Sequence, residues 1–237
     1  MTPHNMKRQE IPQVLFKNIN QVEPYPHKVA AIPKPLTDTS FFPGGDGLWK
    51  ESPSDKEPFI MVLGQDFSTE KIFGKMQEGL TNDLKLPTWK NMLNLFAEAG
   101  ISPEDCFFSN VFMGLRQTES MVGPFPGLRD KEFVARNLKF LEFQLSTLKP
   151  KVIVTLGNSP TKLLSQLSDE LESWQENKAF KNENEGLKKD IKFPQHTSHC
   201  VAIEHPSMRN SNVKRRKYMH YSGHVAEVEM LKAAKKF

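Results

Sequence analysis

An acid, an amide and a histidine follow apolar runs in this chain, and such a set could break a polarised bond with water. Asp66 closes Gly64-Gln65-Asp66 after the run Pro58 to Leu63. Asn110 follows Cys106 to Ser109, and His205-Pro206-Ser207 follows His199 to Glu204. A further run, Lys151 to Leu156, ends in Gly157-Asn158-Ser159. A carboxylate can orient or activate water. A histidine can donate to a departing anion. An asparagine amide offers a donor and an acceptor to a planar ring edge. A Gly-Asn-Ser turn that opens a helix aims backbone N–H groups at an anion. Alone, Asp66 reads as a cap or turn former, His205 as a packed histidine and Gly157-Asn158-Ser159 as a tight turn. Together they point to one pocket, because the ligand crevice of an α/β sheet lies beyond the carboxyl ends of its strands.

The elements that must position these groups follow from periodicity. Phe59 to Leu63, Cys106 to Phe112, Val152 to Leu156 and His199 to Glu204 read as strands buried on both faces. Helices are expected from Pro87 to Ala99, with Thr88 or Asp83 as cap and Gly100 as stop, and from about Asp130 to Leu148, where Phe133, Val134, Leu138, Leu141 and Leu145 share a face. Two more run from Asn158 to about Trp174 and from Gly223 to the end. Strands alternating with helices predict a three-layer α/β/α sandwich around a central, mainly parallel four-stranded sheet. Residues 1–55, rich in proline and holding the turn-forming Phe42-Pro43-Gly44-Gly45-Asp46-Gly47, read as an irregular arm packed on a domain of residues 56–237. The polar stretch 175–198 reads as a solvated insertion, and Thr118 to Arg129 as a Pro/Gly-rich loop.

Composition narrows the chemistry. With 237 residues, 38% hydrophobic and 25% charged, the chain suits a soluble globular domain. No apolar stretch approaches the ~18–20 residues of a membrane span. Met1 to Glu10 lacks the apolar core of a signal peptide. The two cysteines, Cys106 and Cys200, sit in apolar runs and read as buried thiols of a reducing compartment. They cannot supply a four-cysteine zinc or iron–sulfur site, and neither a Walker-type loop nor an acidic metal cluster is present. The expectation is a cytoplasmic monomer, associated with the nucleoid if bacterial, that uses no metal or organic cofactor. A net charge of +4 and the run Lys214-Arg215-Arg216-Lys217 permit nucleic-acid binding.

In order, Gly64-Gln65-Asp66, Phe108-Ser109-Asn110, Lys149 to Gly157 and His205-Pro206-Ser207 resemble the motifs of the uracil-DNA glycosylase superfamily over roughly residues 56 to 215. Trp89-Lys90, opening a helix towards Ala99-Gly100-Ile101, is also similar to the mismatch-specific branch. The resemblance implies a DNA glycosylase that flips a base out of the duplex and cleaves its N-glycosidic bond. Asp66 would handle water and the cationic sugar, and His205 would donate to O2 of the leaving pyrimidine. Asn110 would read the base edge, with Gln65, Phe67 and Ser68 beside it. Ser207 and Gly157-Asn158-Ser159 would hold phosphates. Met208 would wedge into the duplex gap. Arg209 would occupy that gap or bind phosphate, and Lys214, Arg215 and Arg216 would lie along the backbone.

The sequence departs from the family in two ways. In the best-known branch Gly-Gln-Asp continues Pro-Tyr-His, and the tyrosine walls off substituents at C5 of the pyrimidine. Here the chain continues Phe67-Ser68-Thr69, which leaves that wall open and allows, besides uracil, a C5-substituted pyrimidine, including hypermodified bases such as phages use. Where the family places a base-stacking aromatic stand Gly79 and Leu80, leaving Phe67 and Phe73 as alternatives. The shortage of cysteines excludes the iron–sulfur branches.

Overall fold

The four apolar runs each form a strand, and their composition explains why. A strand covered on both faces carries aliphatic and aromatic residues without a break. The computed structural model describes residues 6–51, 53, 59–81, 83–121 and 123–236. The expectations for residues 1–5, for Pro58 and for the Asp83 side chain lie outside what is described.

In chain order the arm contributes α1 (Ile11–Lys17) and β1 (Val29–Ala30). The body then runs β2 (Ile60–Asp66), α2 (Glu70–Gln77), α3 (Pro87–Glu98), β3 (Cys106–Phe112), β4 (Leu115–Arg116) and α4 (Lys131–Leu148). It continues through β5 (Val152–Leu156), α5 (Asn158–Leu164), α6 (Glu172–Gln175), α7 (Lys178–Lys181), β6 (Leu187–Phe193) and β7 (His196–Ile203). It closes with α8 (Arg209–Asn212), β8 (Lys217–Tyr218), β9 (Tyr221–Ser222) and α9 (Gly223–Ala234). The central sheet has the order β3-β2-β5-β7-β6. All its pairings are parallel except β6 with β7. From β2 the chain moves to β3 on one side, then returns past β2 to β5 on the other. The strand order reverses between β2 and β5, and a ligand crevice opens at such a switch point.

Alternation along each strand builds the two apolar layers. Met61, Leu63, Phe107, Val111 and Ile153 face a core closed by α1, α4 and α5. Ile60, Val62, Cys106, Phe108, Val152 and Val154 face the other, closed by α3 and α9. The result is an α/β/α sandwich with a mainly parallel sheet. Helix α4 is capped by Asp130, whose side chain accepts from the Phe133 N–H, and ends at Lys149 with φ 44° before Pro150. Its buried face includes Asn137, whose Oδ1 accepts the Met113 N–H, and Gln144, which bonds Ser109. Val134 and Leu138 lie only partly buried beside it.

Several elements differ from expectation. The sheet has five strands, one more than the apolar runs predict, because residues 175–198 hold α7, β6 and the start of β7. β6 is an edge strand that buries Leu187, Ile191 and Phe193 and exposes lysines between them. Charged residues on an edge discourage further pairing and also disguise the strand in sequence. The helix from Asn158 stops at Leu164 and gives way to 3₁₀ turns at Ser165–Leu167 and Asp169–Leu171. Extended Ser168 (φ −156°) separates those turns. Thr88 does not cap α3. Leu86 occupies that position with no side-chain bond, and Pro87 in the first turn needs no donor partner. The arm covers the edge of β3, where the Phe42 N–H donates to Phe108 O at 2.9 Å and the Phe108 N–H to Gly47 O at 2.7 Å.

Candidate active site

A cavity of about 470 Å³ opens at the switch point. Asp66, Asn110, Gly157-Asn158-Ser159, His205 and Ser207 all line it, as do Gln65, Phe67, Ser68 and Met208. The ends of four strands thus meet in one place.

Asp66 ends β2, and its carboxylate is held by three donors. Arg116 Nε reaches Oδ2 at 2.6 Å and Nη2 reaches Oδ1 at 2.8 Å. Gln65 Nε2 reaches Oδ1 at 2.8 Å. The Arg116 and Asp66 side chains are only 4% and 8% exposed. Arg116 has no sequence motif to announce it. It lies on β4, whose place is set by pairing with β1 and by its own N–H donating to Ser68 O at 3.0 Å.

Asn110 is buried on β3 directly opposite Gly64 of β2. A Cβ at Gly64 would stand 2.5 Å from Asn110 Oδ1, so only glycine leaves the amide its place. Asn110 Nδ2 donates to Phe42 O at 3.0 Å, which ties this amide to the arm. Phe41 and Trp89 line the same cavity and meet edge to face at 5.2 Å. They are pocket residues that periodicity did not single out.

Gly157 has φ +84° and accepts no side chain without strain. An added Cβ would lie 3.0 Å from His205 Cβ, so the glycine turn lets the histidine loop close onto β5. The Ser207 N–H donates to His205 Nδ1 at 3.3 Å, and Ser207 Oγ lies 2.8 Å from the same atom. A backbone N–H can only donate, so Nδ1 accepts and the proton of the neutral ring sits on Nε2. Burial pushes the His205 pKa below its ordinary value, and the Asp66 charge opposes that shift in part. His205 is therefore a neutral Nε2–H donor beside an ionisable carboxylate.

A family model described as the uracil DNA glycosylase superfamily matches residues 53–227. The chain belongs to the uracil DNA glycosylase superfamily. Membership carries a DNA glycosylase type of function, with DNA as the partner. No curated protein matches the chain in sequence. Among the described residues no helix is long and apolar enough to cross a membrane.

In this superfamily member the basic residues around the last motif divide. Lys214 and Arg215 are exposed, and Met208 is 55% exposed at the cavity mouth. Arg209 and Arg216 are not on the surface, contrary to expectation. Both are buried against Glu227 of α9, which is itself fully buried. Arg209 also meets His224 Nδ1 at 2.8 Å, and Arg216 donates to the carbonyls of Ala179 and Ala202. Glu227 further accepts the Glu204 N–H at 2.7 Å, one residue before His205. Asn91 of α3 donates to Pro206 O at 2.9 Å. A buried acid draws Arg216 out of the basic run, which a reading of Lys214, Arg215 and Arg216 as one DNA-facing stretch misses. Phe67 meets Phe73 edge to face at 6.0 Å, and Phe67, not Phe73, lines the cavity.

Proposed function

We propose that this protein is a monofunctional DNA glycosylase that flips out a pyrimidine bearing a C5 substituent and hydrolyses its N-glycosidic bond. The observation that carries the reading is Ser68. It is 4% exposed and lines the cavity, and its Oγ has no hydrogen-bond partner among the described residues. A buried hydroxyl without a partner is costly unless a ligand supplies one. A polar substituent on the base would do so, in the place where the uracil branch closes its wall with tyrosine.

The chemistry follows from the geometry. Water, oriented by Asp66, adds through oxygen to C1′ as the C1′–N1 bond breaks. The base leaves with the electron pair, and the Nε2–H of His205 stabilises the charge gathering on O2. The water proton passes to Asp66 and on to solvent. Among the described residues lining the cavity none is a lysine. Among the described residues no side-chain amine is therefore placed to attack C1′, which supports hydrolysis without strand cleavage. Met208 would fill the gap left by the flipped nucleotide, with Gly157, Asn158, Ser159 and Ser207 along the phosphates and Lys214 and Arg215 further out.

The test is a set of matched duplexes carrying uracil, thymine opposite guanine, 5-hydroxymethylcytosine and glycosylated 5-hydroxymethylcytosine, cleaved with alkali at abasic sites. Release of at least one C5-substituted base is expected, and Ser68→Tyr should suppress that release while sparing uracil if uracil is accepted. A preference for glycosylated cytosine would point to defence against modified foreign DNA. Release of uracil alone would overturn the open-wall reading and favour repair of deaminated cytosine.

A further inference from the structure

Two carboxylate oxygens offer about four acceptor positions. In Asp66 three are filled, two on Oδ1 by Arg116 Nη2 and Gln65 Nε2 and one on Oδ2 by Arg116 Nε. Among the described residues the acceptor position left over is on Oδ2. The same guanidinium reaches the other way. Nη2 donates to Gly123 O at 3.0 Å and Nη1 to Pro124 O at 3.3 Å, and the group lies 5.7 Å from the centre of the Phe125 ring. Gly123 lines the cavity, as does Met121, which is 41% exposed.

We propose that Arg116 is the positioning residue of the reaction, turning Asp66 so that Oδ2 holds the attacking water and clamping the backbone of Gly123 and Pro124 at the cavity wall. The proposal rests on the glycosylase reading for its kinetic part and on geometry alone for its clamp. A planar fork fixes a carboxylate in plane as a lysine ammonium cannot. It also keeps the buried charge paired, so the cavity bears no lone ion. One side chain thereby couples the acid to the backbone of Gly123 and Pro124.

Single-turnover excision at saturating DNA tests the kinetic part. Misplacing a reacting group by an ångström costs about 10²-fold, so Arg116→Ala should lose roughly that factor in rate with unchanged DNA affinity. Arg116→Lys should fall in between. Added guanidinium ion should restore part of the Arg116→Ala rate and none of the rate lost in Asp66→Asn. A full rate in Arg116→Ala overturns the proposal. So does weakened DNA binding with an unchanged saturated rate, which would make Arg116 a DNA contact. A loss that guanidinium does not restore would mean general structural support and also overturns it. If Arg116→Ala fails to fold, Arg116→Lys decides, and a full saturated rate there counts against the proposal. The clamp is read without any substrate. Amide hydrogen exchange at Gly123 and Phe125 should quicken in both Asp66→Asn and Arg116→Lys. Unchanged exchange sinks the clamp even if a base is found, and quickened exchange sustains it even if none is.

Discussion

The two sides of the cavity are held in different ways. Asp66 is gripped at its own side chain by Arg116, within the cavity. His205 is placed through its backbone, from beneath, by Glu227 holding the Glu204 N–H while Arg209 and Arg216 neutralise the acid. Both supports are buried ion pairs, but they differ in what they touch. Arg116 lines the cavity, whereas Glu227 and Arg216 do not. Disturbing the first should change rate as well as stability, and disturbing the second should change stability far more than rate.

The largest effect should come from Glu227→Ala. It leaves two buried arginines without their anion, and breaking such a pair costs about 3–5 kcal/mol. Urea unfolding reads the loss, and single-turnover excision per folded molecule should drop far less. An unchanged urea midpoint, or a rate loss without a stability loss, would break the contrast between the two sides. His205→Ala sharpens it from the opposite direction. Losing one preorganised donor to a developing anion should slow excision by about 10²–10³-fold with little change in the urea midpoint.

The difference between the sides also marks what a sequence discloses. Asp66, Asn110, Gly157 and His205 were legible because each follows an apolar run, and parallel strands bring their carboxyl ends together. Arg116 was not, since its place depends on the pairing of β1 with β4, two residues against two, about which periodicity is silent. The split within Lys214 to Lys217 was hidden for another reason. Its cause is Glu227, set among buried Ala226, Val228, Met230 and Leu231. An acid inside an apolar helical face demands a cation, and that demand turns Arg216 inward. The β6 strand was masked by its solvated lysines, and the role of the arm by its scarcity of periodic elements, although Phe41 lines the pocket and Phe42 O holds the Asn110 amide.

A smaller effect should appear with pH on the His205 side. Burial keeps the folded His205 from taking a proton that the unfolded chain binds near its ordinary pKa of about 6.5. His196, held down to about 4 chiefly by burial and then by the Lys149 charge, acts with the same sign. Below about pH 6.5 the unfolded state then binds more protons than the folded one, so stability is present above that pH and is lost as pH falls. Urea midpoints between pH 8 and 5 should show this decline, shallower in His205→Gln and shallower still with His196→Gln added. The excision rate at saturating DNA should hold level from pH 8 to 6.5, because the neutral Nε2–H form persists there. A rate that falls within that range would mean another group sets the profile.

The smallest effect separates the surface cations from the buried ones in the same run. Lys214 and Arg215 are exposed beyond the His205 loop, while Arg216 is 2% exposed against Glu227. A cation that touches phosphate releases a counterion on binding, so each contact contributes close to one unit to the slope of log K against log salt. Replacing Lys214 and Arg215 by alanine should flatten that slope by up to ~2 and weaken all duplexes alike, whatever base they carry. The unfolding free energy read from urea titration should stay within about 0.5 kcal/mol of the parent, as expected for exposed positions. Arg216→Ala should do the opposite, lowering the midpoint and leaving the salt slope of the folded protein in place. If Lys214→Ala with Arg215→Ala leaves the slope unchanged, those side chains face solvent in the complex. If Arg216→Ala flattens it, the buried arginine must turn outward on DNA, and the last-motif loop would then reorganise on binding instead of being held rigid by Glu227.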